Sequence, residues 1–272
     1  MNIKSYGGHK QQAAGSTLDK HLEELALLGY TVIENVFEEK ELTLTREKLD
    51  ALLTLQENET RREKLKAINE LNLVRCPLAY DDYFLKLAVN NSVLDVIRNC
   101  LGNYFVLHLQ NGILNMPNEE HHQSSWHRDL PYQDFIISKP IAISALYCID
   151  DFSAETGGTF VVPFSHKMEQ MPSEPYISKH AVQINAKAGS VLIFDSMVFH
   201  KAGYNTSGKI RRGINHVYVA GILKQQINLP ELLKGKYKED NFLSMFLGYE
   251  SETPKSVSEW RKNKSEKQKS RK

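Results

Sequence analysis

Apolar positions recur at helical spacing through the first hundred residues and at strand-like spacing through the next hundred and twenty. Leu18, Leu22, Leu25 and Leu28 fall three or four apart and predict an amphipathic helix, with Thr17 as its cap and Gly29 as its stop. "YTVIENVF" (30–37) is β-branched and aromatic, which predicts a strand. A second helix is predicted over 38–55, with Leu42, Leu49, Leu52 and Leu53 turned inward, ending at the charged stretch "QENETRREK". Residues 82–100 read as one further helix, with Phe84, Leu85, Leu87, Val93, Leu94 and Ile97 as core.

From Tyr104 the texture changes. Short runs ("YFVLHLQNGILN", "IAISALYCI", "GTFVVP", "HAVQINA", "SVLIF", "RRGINHVYVAGIL") alternate with Gly, Pro and Ser-rich punctuation. That pattern predicts a β-sandwich or barrel rather than a parallel α/β sheet. Helical character returns near 229–233 and over 256–262. The expected organisation is a flexible start (1–16), one domain (17–250) whose β core spans about 104–223, and a mobile basic tail (251–272).

Composition narrows the function. The chain has 272 residues, 41% hydrophobic and 25% charged, enough for a sizeable core. A net charge of +1 argues against a nucleic-acid binder, which needs a basic excess to neutralise phosphates. The charge is uneven: residues 254–272 hold eight Lys/Arg against two Glu, so the rest of the chain is about five units negative. Cys76, Cys100 and Cys148 are too few and scattered for a disulfide framework or a zinc ribbon. The first sixteen residues hold no apolar core of a leader, and no apolar run reaches membrane-spanning length. A cytoplasmic protein without a membrane partner is expected.

The chemistry concentrates in "SSWHRDLPY" (124–132). On an extended segment positions i and i+2 share a face, so His127 and Asp129 would project together while Arg128 turns aside. An imidazole and a carboxylate suit a first-row divalent metal, and a second histidine would complete a 2-His-1-carboxylate face with three positions left open. The candidate stands about 70 residues on, in "AGSVLIFDSMVFHKAGYNTSGKIRRGINHVYV", as His200. Eleven residues later comes Arg211. A buried arginine needs an anion, and its planar fork fits a carboxylate bidentately; the distal carboxylate of 2-oxoglutarate fits that description. The formal charges then cancel: iron +2, Asp129 −1, 2-oxoglutarate −2, arginine +1.

This combination resembles the phytanoyl-CoA dioxygenase family of Fe(II)/2-oxoglutarate oxygenases, which includes ectoine hydroxylases. "TGGTFVVPFSHK" (156–167) and "LGYTVIENVFEEKEL" (28–42) extend the similarity over roughly residues 18–220. The resemblance implies a mainly β fold with flanking α: a double-stranded β-helix, a cupin-like jelly roll braced by N-terminal helices. It implies Fe(II) on His127, Asp129 and His200, 2-oxoglutarate on Arg211, and O2 as cosubstrate. Asn115 matches a strand residue that contacts the cosubstrate, and Gln110 is placed toward the substrate pocket. One departure is Ala202, where relatives often carry a hydroxyl two residues after the distal histidine.

Other polar residues are expected to be structural. His121 and His122 read as a solvated loop, and His108 and His216 as satisfied strand residues. Arg212 is the rival to Arg211, because a one-residue slip exchanges faces. The implied reaction is hydroxylation of an aliphatic carbon of a small metabolite, with release of succinate and CO2. The alternatives are an acyl-CoA substrate or a non-catalytic cupin-like metal protein; no basic cluster near the motif strands suits a CoA phosphate.

Overall fold

The computed structural model describes residues 15–269; the flexible start expected for 1–16 falls almost wholly outside the described residues. The first helix, α1 (Thr17–Leu28), is capped one residue earlier than the spacing suggests. Ser16 Oγ accepts from the Asp19 amide (3.1 Å) and the Asp19 carboxylate accepts from the Ser16 amide (3.0 Å), a reciprocal capping box. Gly29 ends the helix at φ 88°, a left-handed conformation suited to glycine.

β1 (Tyr30–Ile33) leads into α2 (Glu39–Thr60), which runs five residues past the predicted end and stops inside the charged stretch read as a break. The anchor is Gln56. Its side-chain amide clasps both backbone groups of Arg75, donating to the carbonyl (2.7 Å) and accepting from the N–H (2.8 Å), so the last turns have a docked face. The chain turns at Arg61 (φ 65°) into α3 (Arg62–Ala67), then β2 (Leu73–Arg75). The single helix predicted over 82–100 is two, α4 (Tyr83–Ala88) and α5 (Asn91–Leu101). Asn90 divides them, because its side chain caps the second helix at Val93 N.

The remaining strands are β3 (Phe105–Asn115), β4 (Ala142–Cys148), β5 (Phe160–Val161), β6 (Val182–Gln183), β7 (Val191–Asp195), β8 (His200–Lys201) and β9 (Arg211–Ala220), with α6 (Glu174–His180) between β5 and β6. They form an antiparallel six-stranded sheet in the order β1-β7-β4-β9-β3-β2 and a small sheet in the order β6-β5-β8. This is the jelly roll. The helix-rich N-terminal part also supplies both edge strands of the large sheet, so helices and barrel are interleaved rather than successive.

Two cores follow from the alternation of each strand. On one face Ile143, Ala145, Tyr147, Ile193, Ile214 and Tyr218 pack against Leu49, Phe84, Leu94 and Ile97 from the helices. On the other, Ile113, Leu146, Phe152, Val161, Leu192 and Phe194 fill the barrel between the sheets. After β9 come α7 (Leu229–Leu232), α8 (Asn241–Phe246) and α9 (Val257–Lys269). The described part of the basic tail is thus largely a helix, longer than the 256–262 expected, with nearly all its described side chains exposed. Among the described residues no helix is long and apolar enough to cross a membrane.

Candidate active site

His127, Asp129 and His200 come together at the mouth of the barrel. Their ligand atoms all lie within 4.8 Å of one another. His127 is extended but outside the regular strands; it pairs with His200 in an isolated antiparallel bridge, each amide donating to the other's carbonyl at 3.0 Å. Asp129 N donates in turn to Ser196 O (3.1 Å), which ties the segment down two residues beyond the bridge.

The hydrogen bonds at the far side of each ring decide what the near side can do. His127 Nδ1 lies 2.8 Å from Ser125 O and His200 Nδ1 lies 3.0 Å from Val198 O. Carbonyls only accept, so each Nδ1 carries the proton and each Nε2 offers its lone pair inward. His127 Nε2 is buried and has no partner in the protein. Asp129 is similarly divided: Oδ2 accepts from Ser144 Oγ (2.5 Å) and Asn215 Nδ2 (3.1 Å), and Oδ1 faces His200 Nε2 at 3.5 Å. Two imidazole nitrogens and one carboxylate oxygen, each oriented by an outer partner, are the donor set of a facial 2-His-1-carboxylate centre. The residues fit a divalent iron.

Electrostatics agree. Burial alone would raise the Asp129 carboxyl, but His200, His127 and the Ser144 hydroxyl hold it well below the usual carboxylate range. Burial, and then repulsion from His200, push His127 down, favouring the neutral ring a metal requires. For His200 burial is outweighed by the Asp129 carboxylate, and its affinity for a proton rises.

Arg211 opens β9 on the same interior face as Asn215 and is 2% exposed. Its guanidinium stacks 4.3 Å from the Phe152 ring, and Nη2 donates to Gly157 O (3.1 Å). Nε is buried without a partner. Burial lowers its pKa to about 10, only weakly opposed by Cys148 and Asp150. Arg212 leaves the other face, paired with Asp50 (2.8 Å) and Asp150 (3.0 Å). The cavity between Arg211 and the His-Asp-His cluster is further lined by Ile113, Gln123, Leu146, Thr159, Phe194, Ala202 and Asn215.

Asn115 stands across the ladder from Arg211 and donates to Gly203 O (2.9 Å), bracing the segment beside Arg211; it does not line the cavity. Gln110 needs correcting. It faces the helices, where its amide accepts from Leu78 N (2.8 Å) and donates to Phe84 O (2.9 Å) beside His216 Nε2 (2.9 Å). Gln110 and Asn115 are five positions apart, an odd offset, so one strand cannot turn both inward; Asn111 and Ile113 share Asn115's face. His121 is also not solvated: it is 6% exposed, and with His122, Glu119, Glu120, Asn72 and Lys66 it borders a second, polar groove against the segment leading to His127. Ser144, Asn215, Gln123 and Thr159 are the site residues the sequence reading missed.

Residues 27–213 match the phytanoyl-CoA dioxygenase (PhyH) family. The chain belongs to that family. Uncharacterized proteins of Mycobacterium tuberculosis and Mycobacterium bovis are each 34% identical over 225 residues, covering 80% of this chain and 81% of theirs. Among solved structures, EctD from S. alaskensis, crystallised with 2-oxoglutarate and 5-hydroxyectoine, superposes with a TM-score of 0.64 at 20% identity over 80% of each chain. The epimerase SnoN, in complex with Fe3+, alpha-ketoglutarate and nogalamycin RO, gives 0.61 at 17% identity over 79% of this chain and 89% of its own. The fold is therefore that of the Fe/2-oxoglutarate oxygenases, and this PhyH protein is a 2-oxoglutarate-dependent dioxygenase.

Proposed function

We propose that residues 17–250 form a single catalytic domain in which His127, Asp129 and His200 hold Fe(II) and Arg211 receives the distal carboxylate of 2-oxoglutarate. The observation that carries the proposal is the unpartnered, buried Nε of Arg211 in the same cavity as the unpartnered Nε2 of His127. A buried cation and an oriented lone pair, both lacking partners, call for an anion and a metal together. With iron bound, 2-oxoglutarate and O2 supply the oxidation, releasing succinate and CO2 as the substrate is hydroxylated. The protein's own part is placement. Ser125 and Val198 fix the two rings, Ser144 and Asn215 fix the carboxylate, and Phe194, Leu146 and Ile113 keep the interior apolar.

The substrate class we favour is a small polar metabolite. The groove beside the motif carries Lys66, Asn69, Asn72, Glu119, Glu120, Ser124 and Ser125 with Leu71 as its one apolar residue, a poor bed for a fatty chain. Its two glutamates would also repel the phosphates of CoA. The three free cysteines suit a cytoplasmic setting.

The test is 2-oxoglutarate-dependent succinate release by the Fe(II)-loaded protein, screened across polar metabolites and acyl-CoA esters, with products identified by mass and NMR. A polar substrate gaining one oxygen is expected. Turnover confined to acyl-CoA esters would overturn the substrate class, and an isomer with unchanged mass would replace hydroxylation with epimerisation.

A further inference from the structure

The residue between the two motif ligands is also committed. His127 and Asp129 line the cavity, and Arg128 does not. Its guanidinium instead reaches four carbonyl oxygens. Nε donates to Met197 O (2.9 Å), Nη1 to Glu169 O (2.9 Å), and Nη2 to Ser165 O (3.3 Å) and Met168 O. The same group lies over the Phe199 ring, 4.0 Å from its centroid. A guanidinium carries its donors in a planar fork, and these bonds occupy nearly all of it.

Those acceptors belong to two segments that border the metal ligands. The first, 196–199, leads into His200: Val198 O fixes the His200 ring, and Ser196 Oγ lies 2.8 Å from the Ser144 hydroxyl that donates to Asp129. Residues 127, 128 and 129 therefore bond to His200, Met197 and Ser196 in turn, the outer two through backbone and the middle one through its side chain. The second is the turn at 165–169, where Ser165 Oγ accepts from Phe199 N (2.9 Å). One fork thus ties the motif to both segments, with Nε on the first and the two Nη atoms on the second. Each bond is charge-assisted. An ammonium on a flexible stem cannot match that geometry.

We infer that Arg128 is a positioning residue for the metal centre, holding the segments of His127, Asp129 and His200 in the arrangement that brings all three ligand atoms to a single ion. This rests on the metal site proposed above. Losing a support behind a metal ligand weakens metal binding roughly ten- to a hundredfold. The lower end is expected here, because the bridge bonds between His127 and His200 remain.

The experiment is a set of Co(II) titrations of the metal-free full chain. Affinity is read by competition against a chelator, coordination from the visible absorption of bound Co(II), and Tm before metal is added. Arg128→Leu, which keeps an apolar stem, should bind Co(II) about tenfold more weakly and shift its absorption bands. Arg128→Lys, with the charge but not the fork, should fall between Arg128→Leu and wild type on both readings. Should Arg128→Leu fail to fold, Arg128→Lys decides alone. Wild-type bands in the folded variants would make Arg128 a brace of the fold only and overturn the inference, whatever the Tm, while leaving the metal site intact. A wild-type protein that binds no Co(II) would overturn both.

Discussion

His127 and His200 exchange both backbone hydrogen bonds at 3.0 Å, and their rings stand with centroids 4.3 Å apart. One strand contact thus sets two ligands, joining the small sheet's β8 to the segment that enters the barrel. Metal bound there should tighten that junction. We expect Fe(II), or Mn(II) as a redox-stable substitute, to raise the Tm, since metal at a hundred times its Kd adds about 2.7 kcal/mol if the unfolded chain does not bind it. His127→Ala and His200→Ala should each abolish turnover and the metal-induced shift, with the metal-free Tm little changed. Calorimetry with and without metal checks this; a full shift in the double variant would remove both residues from the site.

Ser144 and Asn215 hold Asp129 Oδ2, leaving Oδ1 toward His200. Ser144→Ala should therefore leave iron bound but roughly ten- to a hundredfold more weakly, because the carboxylate loses an orienting donor. Competition against a chelator of known affinity reads this directly. Unchanged affinity would make Ser144 a packing residue.

Asp195 offers a pH test away from the metal. Burial pushes its carboxyl up to about 6, against the Met197 amide and the nearby charges of Lys167 and Arg128. The unfolded chain releases this proton near pH 4, and the folded chain keeps it until about pH 6. Stability should therefore fall as pH rises through that window, with a cost of up to about 3 kcal/mol fully present above it. Asp195→Asn keeps the acceptor for Met197 N–H (2.9 Å) and removes the charge. Its Tm should exceed that of wild type at pH 7.5 and converge with it near pH 4. A gap that is the same at both values would contradict the burial argument.

Much of the fold is legible in the chain, because helices and strands there differ in period and length. The major strands from β3 onward stand where the runs predict them. The differences lie where tertiary contacts override local texture: Gln56 clasps Arg75 and extends α2 into the charged stretch, where the break comes at Arg61, and Asn90 divides one predicted helix by capping a second. At the site, the clustering of His127, Asp129 and His200 is visible as spacing, since i and i+2 share a face and the distal histidine opens a strand of its own. Ser144, Thr159 and Asn215 are not visible. They arrive from three separate strands or strand ends, and only the inter-strand register brings them to one cavity. Gln110 stands at an odd offset from Asn115 on β3, so strand alternation sends the two side chains to opposite faces.

Arg211 and Arg212 are neighbours with opposite surroundings, and that contrast tests the central claim. Arg212 pairs with Asp50 and Asp150 on the outer face, so Arg212→Ala should lose about 1 kcal/mol of stability and bind 2-oxoglutarate within about twofold of wild type.

The most direct measurement is therefore an anaerobic 2-oxoglutarate titration of the Fe(II)-loaded wild type, Arg211→Ala, Arg211→Lys and Arg212→Ala. Wild type should hold one iron per chain. Arg211→Ala should hold the same iron and bind 2-oxoglutarate roughly thirtyfold to several-thousandfold more weakly, as expected for about 2–5 kcal/mol lost from a desolvated bidentate pair. Arg211→Lys should recover only part, because an ammonium lacks the planar fork. Normal binding in Arg211→Ala with loss in Arg212→Ala, or no effect of either, would contradict the assignment of this cavity to 2-oxoglutarate.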